Sequence, residues 1–363
     1  MQKLLVVIST HSEAIRAAPL VHCLQAVSSM QTIVCVVSRN CQLLARELAI
    51  FAIEVDEELE LVEKGATKSN PPHAIDSVID KHKPDCVLVF GSSASLTGSL
   101  SRHVNFSNFG AGLRMYELQY RSSEGADTNA VDLVATRYFV HTETARDELL
   151  KQGIAPENVF VADSTEVDAV KMVADRIRND RELEAKLATD LAFLDPGKRL
   201  ILVSGHRLEN HEACFENLFH SLKSLAMRPD VQVAYPVHPD SMVNGIGCET
   251  FVYHPNITLI PPQDYLHYVY LMQNAFLILT DSGDTLKEVS SLNKPVLEMG
   301  EASGCWETVN AQTAGTAEKD AGDILRECTQ LLDDPFYYKS YSSRRNPYGD
   351  GHASQRIVET LLR

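Results

Sequence analysis

The stretch Ile278-Leu-Thr-Asp-Ser-Gly-Asp-Thr-Leu-Lys-Glu288 decides how the second half of this chain folds. It overlaps the apolar run Ala275 to Leu279, which is typical of a buried parallel strand, and it predicts a helix that continues to about Leu292. A strand, a short polar turn and a helix form the local geometry of a phosphate site, because the N–H groups at a helix start and the helix dipole both attract anions.

The side chains of this turn leave two interpretations open. Ser282 and Gly283 suit a phosphate-binding turn, whereas the carboxylate of Asp284 would repel the anion. In the other interpretation this is an ordinary strand-to-helix connection, in which Asp281, Ser282 or Asp284 only caps the helix.

Length and composition limit the class of protein. The 363 residues, 44% hydrophobic and 23% charged, are typical of a soluble globular protein with two domains. The formal net charge of -16 argues against a nucleic-acid-binding surface, which needs clustered Lys and Arg. The first apolar run, Leu4 to Ile8, is too short for a signal peptide or a membrane span. We therefore expect a cytoplasmic protein without nucleic-acid or membrane partners.

Cysteine and histidine spacing does not indicate a metal centre. The eight cysteines include no Cys-x-x-Cys pair, several lie in apolar strand-like runs, and the 13 histidines include no His-x-x-x-His pair. Such cysteines are typical of the reduced core of a cytoplasmic protein rather than of a disulfide framework or a zinc site. We predict no metal.

Short apolar runs recur along the chain, separated by stretches long enough for helices. In the first half they are Leu4 to Ile8, Ile33 to Val37, Cys86 to Phe90, Tyr138 to Val140 and Val159 to Ala162. In the second half they are Leu200 to Val203, Val231 to Ala234, Ile257 to Ile260, Ala275 to Leu279 and Pro295 to Met299. This rhythm is typical of doubly wound parallel sheets.

The predicted fold is α/β, with two Rossmann-like doubly wound domains and a ligand-binding cleft between them. A charged helical stretch, about Thr165 to Ala192, ends before the turn Asp195-Pro-Gly197 and marks the transition between the halves. We assign residues 1–165 to an N-terminal domain and residues 166–349 to a C-terminal domain. A final helix, about 350–363, is expected to rejoin the first domain.

Two strand ends of the second domain carry residues able to do chemistry. In Val203-Ser-Gly-His-Arg-Leu-Glu-Asn210, Arg207 is suited to bidentate phosphate binding and His206 to acid or base work near neutral pH. His238, in Tyr235-Pro-Val-His238, is a second candidate. The alternatives are solvated loop residues for the first group and a structural histidine for the second.

The first domain offers polar strand-to-helix turns but few acids. The turns are Ser9 to Arg16, Gly91 to Ser95 and Gly110 to Arg114, each suited to close approach of a ligand to the backbone. Glu13 and Glu124 are the main acids nearby, and Glu124 is equally well explained as an exposed loop residue.

Several segments, in combination and order, resemble the non-hydrolysing UDP-N-acetylglucosamine 2-epimerases, a family with a two-domain GT-B-like fold. The segments are His11 to Leu20, Gly205-His-Arg-Leu-Glu-Asn210, Pro262-Gln-Asp-Tyr-Leu266, Thr280-Asp-Ser-Gly283, Lys294-Pro-Val-Leu297 and Asn346-Pro-Tyr-Gly-Asp-Gly351. The resemblance runs along nearly the whole chain and is closest in the second half.

This resemblance implies a reaction, a ligand and an assembly. The family inverts C2 of the sugar by removing its proton, eliminating UDP and adding UDP back, with no metal and no redox cofactor. An acid and a base must flank C2, and N–H donors or cations must stabilise the departing diphosphate. The implied ligand is UDP or a UDP-N-acetylhexosamine, held by the C-terminal domain, and the implied assembly is a homodimer.

The resemblance also implies which residues bind the nucleotide sugar. His206 and Arg207 match the family's His-Arg pair, and Ser282 and Gly283 match two residues of its diphosphate turn. The full predicted binding set is Arg16, Arg114, Arg207, His238, Ser282, Gly283 and Glu288, the last as the acid that holds the ribose hydroxyls.

The catalytic acids of the family are only partly present. Ser92 and Gly110 occupy two positions where the family has acids, and only Glu124 keeps the third, so the predicted catalytic residues are Glu124 and His206. Positive charge is also lost at Gly300 to Glu307, where the family has an arginine-rich segment.

Three functions are compatible with this pattern. The first is a divergent family member with impaired or lost epimerase activity and a binding or regulatory role. The second is an active epimerase that makes UDP-N-acetylmannosamine for surface polysaccharide. The third is an enzyme acting on a different nucleotide sugar, or transferring a glycosyl group, on the same scaffold.

Overall fold

The computed structural model describes residues 1–38, 40–60, 74–90, 113–120, 131–151, 153–205, 212–237, 254–299, 314–317, 321–343 and 346–363. The chain divides into two compact units. Unit 1 comprises Met1–Ala169 together with Tyr348–Arg363, and unit 2 comprises Val170–Pro347.

Unit 1 is built on a seven-stranded sheet with the order β3-β2-β1-β4-β5-β6-β7. The strands are β1 Gln2–Ile8, β2 Met30–Ser38, β3 Glu57–Glu60, β4 Cys86–Phe90, β5 Leu113–Tyr120, β6 Val131–Val140 and β7 Val159–Val161. Every residue of β4 is buried, as its unbroken apolar run predicts for a central strand. All neighbouring strands are parallel except that β5 runs antiparallel to both β4 and β6.

Strand β5 corrects one prediction from the sequence. Gly110 to Arg114 was predicted to be a strand-to-helix turn, but Leu113 and Arg114 begin β5, while residues 110–112 lie outside the described ranges. The sequence of β5 explains this, because apolar and polar residues alternate in it, a pattern typical of antiparallel strands. The alternation changes phase at Met115–Tyr116, where the pairing with β6 shifts register.

Four helices of unit 1 pack against strands of this sheet. They are α1 His11–Gln25, α2 Cys41–Ile50, α3 Ala74–His82 and α4 Glu143–Lys151. Helix α5, Thr165–Asn179, contains the boundary between the two units. The stretch predicted as one charged helix ends at Asn179, because the Asp180 side chain accepts hydrogen bonds from the next N–H groups and starts α6, Arg181–Asp190.

Unit 2 contains a six-stranded parallel sheet with the order β10-β9-β8-β11-β12-β13. Its strands are β8 Arg199–Ser204, β9 Val231–Pro236, β10 Ile257–Ile260, β11 Ala275–Thr280, β12 Val296–Met299 and β13 Ala314–Ala317. The helices are α7 Glu212–Ala226, α8 Tyr265–Asn274, α9 Gly283–Ser291, α10 Ala321–Asp333 and α11 Pro335–Ser342. The predicted α/β fold class with two doubly wound Rossmann-like units is confirmed.

The C-terminal segment belongs to unit 1 and ends in α12, Ala353–Leu361. Both carboxylate oxygens of Asp168, in the first turn of α5, accept hydrogen bonds from the N–H groups of Ala353 and Ser354. Tyr348 is buried, and its carbonyl accepts a hydrogen bond from the N–H of Ser164 at 2.9 Å. The start of α12 is thus fixed to the start of α5. Among the described helices, every one is too short or too polar to cross a membrane.

Candidate functional site

The candidate site in unit 2 lies where the strand order of its sheet reverses. Strands β8 and β11 are adjacent and parallel, and their last paired residues are Ser204 and Thr280. The chain continues from β8 toward β9 and from β11 toward β12, on opposite sides of this pair. Ligands of open α/β sheets bind beyond the carboxyl ends of the strands at such a reversal. Two segments begin here: the turn at Asp281, which follows β11, and the motif that begins at Gly205, which follows β8.

Gly205 and Asp281 are in close contact at this edge of the sheet. Asp281 is 5% exposed, and its N–H donates a hydrogen bond to the carbonyl of Ser204 at 3.3 Å. A Cβ atom on Gly205 would lie 2.6 Å from the Asp281 carboxylate carbon, which is closer than two such atoms can approach. A side chain at the first position of the Gly-His-Arg segment would therefore force the buried Asp281 carboxylate to move, a constraint that the sequence alone does not reveal.

The turn between β11 and α9 joins the end of the strand directly to the start of the helix through hydrogen bonds. The N–H of Ser282 donates to Thr280 Oγ1 at 3.0 Å, and the Ser282 carbonyl accepts from the N–H of Leu286 at 3.2 Å. Ser282 occupies the N-cap position of α9, but its side chain makes no capping hydrogen bond. Gly283 is the first residue of the helix. The interpretation of Ser282 as a capping side chain therefore does not describe this turn.

Asp284, the residue that does not suit a phosphate site, is part of an ion pair. Its carboxylate Oδ1 lies 3.4 Å from Nζ of Lys287, one turn further along α9. The Lys287 side chain is about 10% exposed, whereas that of Asp284 is 39% exposed. Lys287 thus places a largely buried cation against the only carboxylate in the first turn of α9, and partly cancels its charge.

Glu288 is held in position by a tyrosine of the preceding helix. The Tyr265 hydroxyl donates to Glu288 Oε1 at 2.9 Å, and both residues are buried. The resemblance assigned the ribose-binding role to Glu288, and the structure adds Tyr265 as the residue that orients its carboxylate. Tyr265 was visible in the sequence only as part of the segment Pro262 to Leu266.

A second tyrosine of α8 joins the ends of β8 and α9. The Tyr268 hydroxyl donates to Ser204 Oγ and lies 3.2 Å from Thr285 Oγ1. Burial, and then the negative charge of Glu288, raise the pKa of the Tyr268 hydroxyl, so that it stays protonated as a donor. Sequence analysis missed this residue, although the three-residue spacing of Tyr265 and Tyr268 places both on one face of α8.

In unit 1, the predicted binding residue Arg16 is buried against an acid. Arg16 lies in α1, and its Nε pairs with Oε1 of Glu166 in α5. The two side chains are 8% and 2% exposed. Arg16 also lines a small pocket of unit 1 with Phe90, Phe139, His141, Asp163, Thr165 and Ile357.

Glu13, one of the two acids noted near the first-domain turns, stabilises the start of α1. Its buried carboxylate accepts hydrogen bonds from the N–H and the hydroxyl of Ser9, both at 2.8 Å. Its own N–H donates to Thr10 Oγ1 at 3.3 Å. This arrangement is related to a capping box, in which side chains satisfy the first N–H groups of a helix.

Seven residues named in the sequence analysis lie outside the described residues: Ser92, Gly110, Glu124, His206, Arg207, His238 and Gly300. For Arg114 the structure places the backbone, in β5 and paired with Val89 and Tyr138. Of the predicted binding residues, Ser282, Gly283 and Glu288 lie at the N-cap and in the first half of α9, and Asp284 lies between them on the same helix.

Comparison with known proteins agrees with this arrangement. Residues 22–362 match the sequence profile of the family described as UDP-N-acetylglucosamine 2-epimerase. The chain is 37% identical to the UDP-N-acetylglucosamine 2-epimerase of Yersinia pestis, over 99% of this chain and 98% of that protein. It is 36% identical to the enzyme of the same name from Escherichia coli K12, with the same coverage.

Among solved structures, the UDP-GlcNAc 2-epimerase from Neisseria meningitidis bound to UDP-GlcNAc is similar with a TM-score of 0.83 at 28% identity. The similarity covers 99% of this chain and 100% of that one. Profile, sequence and fold therefore agree over nearly the whole chain. This chain belongs to the UDP-N-acetylglucosamine 2-epimerase family and has its GT-B-like α/β fold.

Proposed function

We propose that this chain binds UDP or a UDP-N-acetylhexosamine in unit 2, and that its standard 2-epimerase activity is impaired or lost, leaving a binding or regulatory role in nucleotide-sugar metabolism. The observation that carries the binding proposal is the geometry of α9. Its N-cap residue Ser282 and its first residue Gly283 follow the end of β11, and the buried carboxylate of Glu288 lies on the same helix.

The spacing along α9 fits a nucleoside diphosphate. Gly283 and Glu288 are about 7.5 Å apart along the helix axis, from a rise of about 1.5 Å per residue. The helix start attracts a diphosphate, and a carboxylate accepts hydrogen bonds from two adjacent ribose hydroxyls. The Neisseria meningitidis relative, solved with UDP-GlcNAc bound, supports this class of ligand.

The proposal of impaired activity rests on two replaced acids. Inversion at C2 needs groups that remove and return a proton, and each such group contributes roughly 10²- to 10⁴-fold to the rate. Ser92 and Gly110 cannot supply a carboxylate, which leaves Glu124 and His206 as the available acid–base groups. We expect the standard reaction to be slowed by at least the contribution of one such group.

An active epimerase is the alternative, and one observation favours it. The chain is 36–37% identical over nearly its whole length to proteins that carry the name of this enzyme. Under this alternative Glu124 and His206 suffice, with other groups replacing the missing acids. An enzyme acting on a different nucleotide sugar is a third candidate that the shared scaffold permits.

Epimerisation is tested directly with purified protein and UDP-N-acetylglucosamine, following formation of the manno epimer by chromatography and uptake of deuterium at C2 by NMR. The Escherichia coli relative, assayed in parallel, is the positive control. We expect conversion to be at least about 10²-fold slower than with the control. Turnover within the usual enzyme range, about 1 to 10³ per second, would establish the active alternative.

Binding is tested separately by calorimetry with UDP. We expect Glu288→Gln to weaken UDP binding by about tenfold or more, because the ribose loses a charged acceptor. Glu359→Gln, a change at an exposed acid of α12, is the matched control and should bind UDP like the wild type. UDP binding unaffected by Glu288→Gln would contradict the proposed site.

A further inference from the structure

The ion pair between Arg16 and Glu166 is unusual in its burial and its position. Arg16 lies on α1, which follows β1, and Glu166 is the second residue of α5, which follows β7. The side chains of Arg16 and Glu166 are both more than nine-tenths buried. The pocket that Arg16 lines is also lined by Phe90, His141 and Asp163, which lie at or just after the carboxyl ends of β4, β6 and β7. Beyond strand ends of this kind, ligands of α/β folds are bound.

Glu166 is held in place by more than Arg16. Its second oxygen, Oε2, accepts a hydrogen bond from the Ser164 hydroxyl at 3.1 Å, and its own N–H donates to Ser164 Oγ at 3.3 Å. Glu166 also lies in the first turn of α5, where the helix dipole favours a negative charge. The carboxylate is therefore a fixed part of the fold rather than a surface group that happens to meet an arginine.

The pocket that Arg16 lines is also lined by one carboxylate, that of Asp163, and one imidazole, that of His141. The Asp163 carboxylate accepts a hydrogen bond from Arg356 at 2.6 Å, so its charge is already compensated, and His141 is the remaining titratable group. The other lining side chains are Phe90, Phe139, Thr165 and Ile357. Arg16 is the guanidinium of this mixed lining, and Glu166 is the anion already bound to it.

We propose that Glu166 determines the affinity of this chain for nucleotide sugars, as an internal carboxylate that competes with the ligand's negative charge for Arg16. The inference rests on the proposed function, because it takes Arg16 as one of the residues that bind the nucleotide sugar. A ligand anion must share the guanidinium with Glu166 or displace it, and either route weakens binding relative to an uncompensated arginine.

The test is Glu166→Gln in the full chain, with calorimetric titration of UDP-N-acetylglucosamine and UDP. Glutamine keeps the shape of the side chain and one oxygen for Arg16 and Ser164, while the competing charge is removed. We expect UDP-N-acetylglucosamine to bind about tenfold tighter or more. In Arg16→Gln combined with Glu166→Gln this gain should disappear, because the cation that produces it is absent.

A second variant keeps the proposal testable if Glu166→Gln unfolds. Ser164→Ala removes the hydroxyl that holds Glu166 Oε2 but leaves the ion pair, so we expect a smaller gain in affinity in the same direction. An ion pair that only stabilises the fold would lower the unfolding temperature in both variants without any gain in affinity. Unchanged or weaker binding in a folded variant, with UDP still bound by the wild type, overturns the proposal.

Failure of the proposed function gives a different result. In that case neither the wild type nor Glu166→Gln binds UDP, and Glu288→Gln changes nothing. That outcome overturns both proposals together. Binding of UDP that depends on Glu288 but not on the charge at position 166 overturns only the role given to Glu166.

Discussion

Asp284 lies in the first turn of α9, where the proposed diphosphate would bind, and its carboxylate is 3.4 Å from the Lys287 ammonium. From the sequence, this acid was expected to weaken anion binding severely. Lys287 offsets part of this effect, because an anion at the helix start interacts with both charges. Whether the turn still accepts a diphosphate thus depends on two residues rather than on one.

Removing each partner of this pair should change UDP affinity in opposite directions. Lys287→Met keeps the length of the buried side chain but removes the positive charge beside Asp284, so we expect UDP binding to weaken about tenfold. Asp284→Asn removes the negative charge from the first turn of α9, so binding should tighten several-fold. The measurement is calorimetry at low and moderate salt. Equal UDP affinity in both variants and the wild type would show that the pair points away from the ligand.

The contact between Gly205 and Asp281 predicts a strong coupling between two positions. Gly205→Ala should destabilise the protein by roughly 1–3 kcal/mol, because the added methyl overlaps a buried carboxylate. In an Asp281→Ala background the clashing atoms are absent, so the same change should cost far less. Urea unfolding of the four proteins of this cycle gives the coupling energy. Additive costs would mean that the carboxylate moves aside freely.

At the scale of elements, the segment that leads into α12 is fixed by ion pairs with a defined pH dependence. Arg356 contacts Asp350 through two hydrogen bonds of 2.9 and 2.7 Å and also donates to Asp163. The hydrogen bonds from Arg356 hold the pKa of the Asp350 carboxyl well below its usual value. Since the folded-state pKa is lowered, the stabilisation is fully present above the unfolded value of about 3.9 and is lost as the pH falls below it.

Asp350→Asn tests this dependence. Relative to the wild type, the variant should be less stable at pH 7 and at pH 5, and the difference should shrink steadily below about pH 4. Denaturant unfolding at several pH values measures it, and the comparison of two proteins removes the contribution of the other carboxylates. A difference that stays constant down to pH 2 would show that Asp350 stabilises the segment through shape rather than charge.

The elements also show what the sequence could and could not predict. Buried parallel strands were recognised because burial on both faces produces unbroken apolar runs, as in β4 and β11. Strand β3 was missed because Glu57–Glu60 is almost entirely acidic. Strand β13 was missed because its residues are small, Ala-Gly-Thr-Ala. Both β3 and β13 are defined by their hydrogen-bonded pairing with a parallel neighbouring strand, and not by an apolar sequence.

The candidate site, like the strands, could be predicted from the sequence only in part. Glu288 and the turn at Ser282 and Gly283 were found through a resemblance, since one carboxylate among 49 acidic residues has no distinguishing local pattern. Lys287 could have been assigned from its spacing, because it follows Asp284 by three residues on the predicted helix. Tyr265 could not be assigned, because its role depends on a contact between separate elements. The same holds for Glu166, whose partner Arg16 is far away in sequence.

At the scale of the whole molecule, the resemblance predicts a homodimer. Light scattering coupled to size exclusion should therefore give about twice the 40.2 kDa mass of one chain. Measurement across a range of concentrations distinguishes a stable dimer from weak association, because an obligate dimer keeps its mass on dilution. A mass of one chain at all concentrations would contradict the expectation.

The proposed separation of binding from catalysis predicts that activity can be restored by exchanging one segment. The resemblance assigns the missing acids to Ser92 and Gly110, between β4 and β5, and implies that the chain is about four residues shorter there than the family pattern. The double substitution Ser92→Asp and Gly110→Glu would therefore supply the two carboxylates but would not restore the length of the family's segment. Replacement of residues 91–130 by the corresponding segment of the Escherichia coli relative supplies both the carboxylates and the segment length.

If unit 2 still binds UDP, this chimera should convert UDP-N-acetylglucosamine at least about 10²-fold faster than the wild type. A folded chimera that binds UDP but remains as slow as the wild type would place the defect elsewhere, with the altered turn at Asp284 and the buried Arg16–Glu166 pair as the next positions to change.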